Sequence, residues 1–463
     1  MADPAGAGVP GAAPAGAGAQ GTVPADAGAG PGPGAEQEAV TLAADLIRFD
    51  TTNRGGGDGH ERAAAEYVAQ RLAEAGLDPV LLESAPDRAN VVARVPGTDP
   101  AAPALLVHGH LDVVPADPAA WSVHPFSGEV RDGELWGRGA IDMKNADAVV
   151  LAVVRAWARA GRRPRGDIVL AFTADEEDTA AYGARWLVER HPELFEGCTE
   201  AVGESGGFTF YAGNGVRLYP IASAERGTAW LKLTARGRSG HGAKRNDENA
   251  VLRLAAALTR IGGHEWPVRL IPTVRAALAA IAAAVGADPA VSPDKLLPQL
   301  GPAAALVAGT MRNSAAPTML RAGDKVNVIP ADAVGYVDGR VLAGHEQEFR
   351  ATLDELTGPD VSWEYAHRER PLEAPLEVPL MRRMAAAVTA EDPAATIVPY
   401  CLTGGTDAKQ FARLGMACYG FTPLGLPPGY DYYALFHGVD ERVPVSALEF
   451  GVRVMDRLMS GLP

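Results

Sequence analysis

Cysteine, positive charge and long apolar runs are all scarce in this sequence, and each shortage excludes a class of protein. Only three cysteines occur in 463 residues, Cys198, Cys401 and Cys418, and none forms a C-x-x-C pair. A disulfide framework and a thiolate zinc site are therefore excluded, and a reducing, cytoplasmic setting is expected. Lys and Arg number 42 against 57 Asp and Glu, a formal charge of −15. That balance argues against nucleic acid or an anionic membrane surface as the main partner. No unbroken apolar stretch approaches the roughly 20 residues of a membrane span. A G-x-S-x-G elbow and a P-loop are missing, and GRGAIDMKN completes no G-x-G-x-x-G dinucleotide loop. Metal or nucleophile chemistry must then come from His, Asp, Glu, Ser or Lys.

What is present is a globular balance, 47% hydrophobic and 21% charged, at a length that suits two or three domains. Residues 1–36 are almost only Ala, Gly and Pro. They carry no large apolar side chains to repay ordering, and no basic or Leu-rich stretch of a signal peptide, so a disordered tail outside the fold is expected. From Glu36 the residues Val40, Leu42, Ala43, Leu46 and Ile47 recur at helical spacing, and His60–Gly76 reads as a second helix closed by its glycine. Pro79–Leu82, Asn90–Val95, Ala104–Val107 and Asp167–Thr173 read as strands, with a helix at 146–160. Helices alternating with continuously apolar strands predict an α/β catalytic domain, a mixed sheet covered by helices on both faces.

The texture changes near residue 222. TAWLKLTARG alternates like a half-exposed strand, 247–262 and His345–Thr357 read as helices, KVNVIPADAVGYVDGRV as two strands around a turn, and VSWEYAH as a last strand. The expectation is an inserted α+β unit over 222–368, elaborated by the Ala- and Pro-rich segment 263–317. The catalytic domain would then comprise 37–221 and 369–463.

Five motifs carry chemistry. The buried strand Ala104–Val107 runs into His110-x-Asp112, where residues two apart share a side. One imidazole nitrogen could bind a metal while the carboxylate fixes the ring, although an isolated H-x-D often means nothing. His108 in the same run reads as structural. GRGAIDMKN presents Asp142 and Lys144 at a helix start, where Asp142 could equally be an N-cap. Ile168–Phe172 leads into Asp175, Glu176 and Glu177 at a strand's carboxyl end, the place where open α/β sheets bind ligands. Three adjacent carboxylates are either a solvated turn or a cation site. AVGESGG offers Glu204, and ALFHGVDERVP offers His437. Taken together, His and carboxylate donors at several strand ends suit Zn²⁺ in a hydrolytic site of one ion or two.

These residues resemble the aminoacylase, carboxypeptidase and desuccinylase family of di-zinc amidohydrolases, the M20 metallopeptidases. GHLDVVP, WGRGAIDMK, TADEE, SGHGA and NVIPADA match that family's pattern in order, over roughly 36–463. The resemblance implies a zinc-binding domain interrupted by a lid, often used for dimerisation, so that a homodimer is a possible assembly. It implies two Zn²⁺ per chain, with Co²⁺ or Mn²⁺ as substitutes, bridged by Asp142. His110 and Glu204 would complete one site, and Glu177 and His437 the other. Asp112 would orient His110, and Glu176 would be the general base of amide hydrolysis by a zinc-bound hydroxide. In the lid, His241 resembles an oxyanion-stabilising histidine supplied across a dimer, and Asn327 and Arg340 resemble groups that hold the substrate. Gly404, Gly405 and Thr406 resemble a loop near the substrate carboxylate. The segment 263–317, followed by AGDKVNVIPADA, looks most like the carboxypeptidase S branch. The implied substrate is a small peptide or N-acyl amino acid. Rival readings are a biosynthetic desuccinylase or deacetylase, and an inactive binding protein on the same scaffold.

Overall fold

The computed structural model describes Gly30, Gly32 and residues 34–461. The expected tail therefore lies almost wholly outside the described residues. The first helix, α1 (Ala35–Ile47), begins at the edge of that tail and buries Val40, Leu42, Leu46 and Ile47, the stripe its spacing predicts. Helix α2 (Arg62–Glu74) follows, and Gly76 (φ 77) turns the chain out of it. Next come β1 (Val80–Ala85), β2 (Arg88–Val95), β3 (Ala104–His110), β4 (Glu129–Arg131) and β5 (Glu134–Trp136). Helix α3 (Lys144–Ala160) leads to β6 (Ile168–Thr173), α4 (Ala184–Arg190), β7 (Cys198–Gly203), β8 (Phe210–Gly213) and β9 (Val216–Glu225).

The chain then leaves this sheet. It forms β10 (Gly227–Arg236), β11 (Gly240–His241), α5 (Ala250–Gly262), α6 (Pro272–Val285), α7 (Pro293–Leu296), β12 (Ser314–Ala322), β13 (Val328–Ile329), β14 (Asp332–Val341), α8 (Glu346–Thr357) and β15 (Val361–Arg368). It returns with β16 (Leu372–Glu373), α9 (Pro379–Glu391), β17 (Ala395–Leu402), α10 (Ala408–Phe411), β18 (Ala417–Gly420), α11 (Tyr432–Leu435), β19 (Arg442–Pro444) and α12 (Val445–Ser460).

The large sheet runs β1-β2-β6-β3-β7-β18-β9-β16, with β8 and β17 also paired to β9. Its centre, β6, β3, β7 and β18, is parallel, so four carboxyl ends open on one edge. Every residue of β3 and β6 is buried, as continuous apolar runs between two helical layers require. α1, α3 and α12 cover one face through Leu46, Leu151, Val154 and Leu458. α4 and α10 cover the other through Leu187 and Phe411.

The second sheet, β12-β14-β10-β15, is antiparallel, and α5 and α8 cover one of its faces with Leu254, Ile261, Phe349 and Leu353. Its alternating strands match the half-exposed pattern of TAWLKLTARG. The segment 263–317 differs from expectation. Helix α6 packs Val274, Leu278 and Ile281 against Leu218 of β9 and Val398 and Tyr400 of β17, on the large sheet. The small sheet's covered face is already filled by α5 and α8, so the apolar stripe of α6 finds its partner on β9 and β17. KVNVIP also forms less strand than expected, since only Val328 and Ile329 pair there, with β11.

Candidate metal centre

The parallel block brings the expected ligands to one edge. His110 ends β3, Glu176 and Glu177 follow β6, Glu204 follows β7, and Asp142 sits just before α3. Gly109 must be a glycine here, because a Cβ would come within 2.1 Å of Asp147 Oδ1 on α3.

Asp142 occupies the middle. Its Oδ1 lies 3.0 Å from His110 Nε2, and its Oδ2 lies 2.7 Å from His437 Nε2. Glu204 approaches His110 at 3.8 Å, and Glu177 approaches His437 at 3.2 Å. One oxygen of Asp142 thus faces a His–Glu pair, and the other faces a second pair. Glu176 Oε2 stands 3.9 Å from His110 Nε2. Among the described residues, His110, Glu176 and Glu204, and likewise His110, Asp142 and Glu177, bring donor atoms within 4.8 Å of one another.

The electrostatics of this cluster call for a cation. Four carboxyls face two imidazoles. Burial, and after it the charge of Glu204, pushes Glu176 well above the carboxylate range. Burial and Asp142 push Glu177 up to about 7, and Glu204 also rises through burial. Burial would lower His110, yet Asp142 and Glu204 outweigh it and hold the imidazole well above its ordinary value. His437 rises to about 10 because Asp142 and Glu177 overcome the same penalty. Asp142 stays below the carboxylate range despite burial, held there by both histidines. Among the described residues, Glu177 Oε1 is buried without a hydrogen-bond partner. Carboxylates and imidazoles in this number are the donors that suit divalent zinc, cobalt or manganese.

Asp112 does not hold the ring as expected. His110 Nδ1 meets the main-chain carbonyl of Asp112 at 2.9 Å, and the nearer carboxylate oxygen is 3.6 Å away. The carboxylate instead accepts the amides of Glu176 and Glu177, both at 3.1 Å, and Asn53 Nδ2 at 2.9 Å. An aspartate two residues after the histidine has its own carbonyl nearer the ring, which leaves its carboxylate free to order the next strand's loop.

Supporting residues sit both inside these motifs and outside them. Glu441 accepts the amides of Ile141 at 2.7 Å and Asp142 at 3.1 Å, and also pairs with Arg138 at 2.6 Å. Arg138 in turn donates to the His437 carbonyl at 3.2 Å. Asp175 is fully buried in a left-handed conformation (φ 65), bonded to Arg88 at 2.8 Å and Asn53 at 3.1 Å. Arg88 also pairs with the buried Glu61 at 2.7 Å. A carboxylate so enclosed cannot reach a substrate, which leaves Glu176 as the open acid of the TADEE turn.

The remaining expected residues fall into two groups. Arg340 grips Asp338, with Nε–Oδ1 2.9 Å and Nη2–Oδ2 3.2 Å, so its fork is taken up locally. Thr406 gives both its amide (3.0 Å) and its hydroxyl (2.7 Å) to Glu225. The amides of Gly404 and Gly405 make no hydrogen bond among the described residues. Beside them lies Arg226, which sequence reasoning missed. It is 9% exposed, bonded to Ser314 Oγ (3.1 Å) and the Thr403 carbonyl (3.4 Å), and forms no ion pair among the described residues. Its only signal was its place between the continuously apolar run of β9 and the alternating run of β10. His241 and Asn327 sit together on the exposed β11–β13 ribbon, where Gly242 N donates to the Asn327 carbonyl at 2.9 Å. Neither makes a hydrogen bond or ion pair to the metal-ligand cluster.

Aminoacylase-1 of Pongo abelii is 26% identical over 441 residues, covering 93% of this chain and 97% of that protein. A succinyl-diaminopimelate desuccinylase of Methylobacterium radiotolerans is 38% identical over 237 residues, 48% of this chain and 56% of the relative. The crystal structure of an M20 family metallo-carboxypeptidase from Sulfolobus solfataricus shares the fold, with a TM-score of 0.69 at 15% identity over 92% of this chain and 99% of that one. Among the described residues, no helix is long and apolar enough to cross a membrane. A family model for Peptidase family M20/M25/M40 matches residues 106–461, and the chain is a hydrolase belonging to that family.

Proposed function

We propose that the protein hydrolyses the amide bond of an N-acyl amino acid or small peptide bearing a free α-carboxylate, using two divalent metal ions, Zn²⁺ foremost. The observation that carries this reading is Asp142, with one oxygen 3.0 Å from His110 and the other 2.7 Å from His437. His110, Asp142 and Glu204 would hold one ion, and Asp142, Glu177 and His437 the other. Such ions supply Lewis acidity and lower the pKa of water toward about 7. Glu176 takes the proton of the attacking water and passes it to the leaving amine. Asp112 positions Glu176 and Glu177 through their amides, and Glu441 does the same for Asp142.

Arg226 and the amides of Gly404 and Gly405 receive the substrate carboxylate. A buried guanidinium without a counter-ion is costly until an anion joins it. Arg340 lies opposite Thr228 in the adjoining strand pair, so its Asp338-bound fork flanks the same spot; Thr406 follows the two glycines, and Asn327, on the exposed ribbon, would come in only with the lid. His241 donates to the developing oxyanion. Its exposed place on the β11–β13 ribbon means that it arrives when this lid unit closes, or from a second copy. A homodimer through the lid is supported by the edge strand β12, whose Met319 and Leu320 are exposed. Since all five ligand positions and Glu176 are filled, an inactive binding protein is disfavoured.

The test is hydrolysis of a panel of dipeptides, N-acetyl amino acids and N-succinyl-diaminopimelate by enzyme stripped with a chelator and reloaded with zinc, cobalt or manganese. Metal-dependent turnover of N-acetyl amino acids or dipeptides supports the proposal. Turnover of the succinyl substrate alone would make the protein a biosynthetic desuccinylase.

A further inference from the structure

The chain passes between the two sheets at two places, from β9 to β10 through Arg226 and from β15 to β16 through residues 369–371. These crossings lie side by side, since Glu369 N donates to the Thr228 carbonyl at 2.9 Å. Two units joined by adjacent crossings have the layout of a hinge. The segment 263–317 is attached in a way that opposes such a hinge. It leaves the small-sheet unit after α5, re-enters it at β12, and between those points is fastened to both units.

On the large sheet, Val274, Leu278 and Ile281 of α6 share one apolar cluster with Leu218 of β9 and Val398 of β17. The buried Thr273 shares a hydrogen bond with Ser223 of β9, Oγ1 to Oγ at 3.1 Å, and its amide donates to Glu373 of β16 at 3.0 Å. On the other unit, Trp266 stacks on Phe349 of α8 at 5.0 Å and 19°. Arg269 donates to both oxygens of Glu348 on α8, at 2.7 and 3.0 Å. The buried Asn313 accepts the amide of Leu342 at 2.8 Å. Leu342 directly follows β14, and its buried side chain lies in the same cluster as Leu218 and Val398. One core therefore holds residues of both units, and a close-packed core does not shear continuously. The Arg269–Glu348 pair is partly exposed and orients more than it stabilises. The shared core and the Asn313 bond do the holding. The segment also abuts the proposed carboxylate site. A Cβ on its Gly309 would lie 3.0 Å from Thr403 Cγ2, and its Ser314 Oγ accepts Arg226 Nη1 at 3.1 Å.

We propose that the segment 263–317 is a clamp that fixes the small-sheet unit on the large sheet, so that Arg226 and the 403–405 turn stand in place before substrate arrives and binding brings no hinge closure. The task given to Arg226 rests on the hydrolase reading above, whereas the clamp does not. With the unit fixed, His241 reaches the metals through movement of the β11–β13 ribbon or from a second copy.

The experiment measures the distance between spin labels on the two units by double electron–electron resonance. The labels are placed at Gln70→Cys on α2 and Arg350→Cys on α8, both exposed, in the full chain carrying Cys198→Ser. The otherwise unchanged chain is expected to give one narrow distance, the same without metal, with zinc, and with zinc plus N-acetyl-alanine. The added pair Arg269→Ala and Asn313→Ala is expected to lose that single distance, through broadening or a second population. Thermal melting establishes that this variant is folded; if it is not, Asn313→Ala alone replaces it with the same expectation. Two distances in the otherwise unchanged chain, or a shift on adding zinc or N-acetyl-alanine, overturns the proposal. A folded variant as narrow as its parent overturns it too. A single unchanging distance in a chain that hydrolyses no N-acyl amino acid or dipeptide supports the clamp and removes only the hydrolase reading.

Discussion

Around the large sheet, Asp112, Asp142, Asp175 and Glu441 are buried and each is bonded to named partners on at least one other loop. On the β11–β13 ribbon, His241 and Asn327 are exposed and touch none of that network. Both regions supply residues to the proposed site, yet only the first is assembled in a single closed chain. The difference separates work done before substrate arrives, holding metals and aiming Glu176, from work that needs the lid. Buried, mutually bonded donors need no reorganisation at the moment of reaction, whereas an exposed histidine contributes only when it is brought in.

Substitutions can break this contrast. The largest effect is expected at Glu176. Glu176→Gln should keep its metals and lose roughly 10²–10⁴-fold in kcat, since the amide cannot accept the water's proton. Wild-type turnover would remove Glu176 from the mechanism, and Asp175, fully enclosed by Arg88 and Asn53, could not replace it. On the other side of the contrast, His241→Ala should cost roughly 10²–10³-fold in kcat with metal content unchanged. Mixing it with Glu176→Gln chains should restore part of the activity if the histidine acts across a dimer. Loss of metal in His241→Ala would make it a ligand and erase the distinction between the regions.

Much of the preassembled region was legible because its chemistry is concentrated in short motifs. His110, Asp142, Glu176, Glu177, Glu204 and His437 each follow an apolar run or a Gly-rich turn, and a polar group in that setting stands out. The α/β and α+β textures were equally visible in continuous as against alternating apolar patterns. The supporting residues were not legible. Glu61, just before α2, and Arg88 on β2 are isolated charges, and nothing local says that Arg88 joins Glu61 to Asp175 in the interior. Arg340 pairs with Asp338, two residues before it, because residues two apart share a strand face. The segment 263–317 reads in sequence as part of its neighbours, although its apolar stripe packs on β9 before it and on β17, more than a hundred residues further on.

Smaller effects sharpen the comparison. Arg226→Ala should lower kcat/KM for an N-acetyl amino acid by roughly 10- to 100-fold, the worth of a charged hydrogen bond, and barely affect the corresponding amide. Equal kcat/KM for acid and amide in the wild type would contradict the carboxylate site. Asn53→Ala, which frees one bond each of Asp112 and Asp175, should cost about tenfold in metal affinity, as outer supports of metal ligands do. Arg88→Met leaves Glu61 and Asp175 buried without their cation. It should destabilise the fold by about 3–5 kcal/mol, read as a lower Tm. An unchanged Tm would show that the triad is not structural.

The most direct test is metal stoichiometry by elemental analysis, wild type beside Asp142→Ala. The account predicts about two divalent ions per wild-type chain, on the pattern of a site whose carboxylate bridges two ligand sets. It also predicts concerted loss of both ions in the variant. A wild-type chain that binds no zinc, cobalt or manganese and gains no activity on their addition would contradict it, as would an Asp142→Ala chain that keeps both ions.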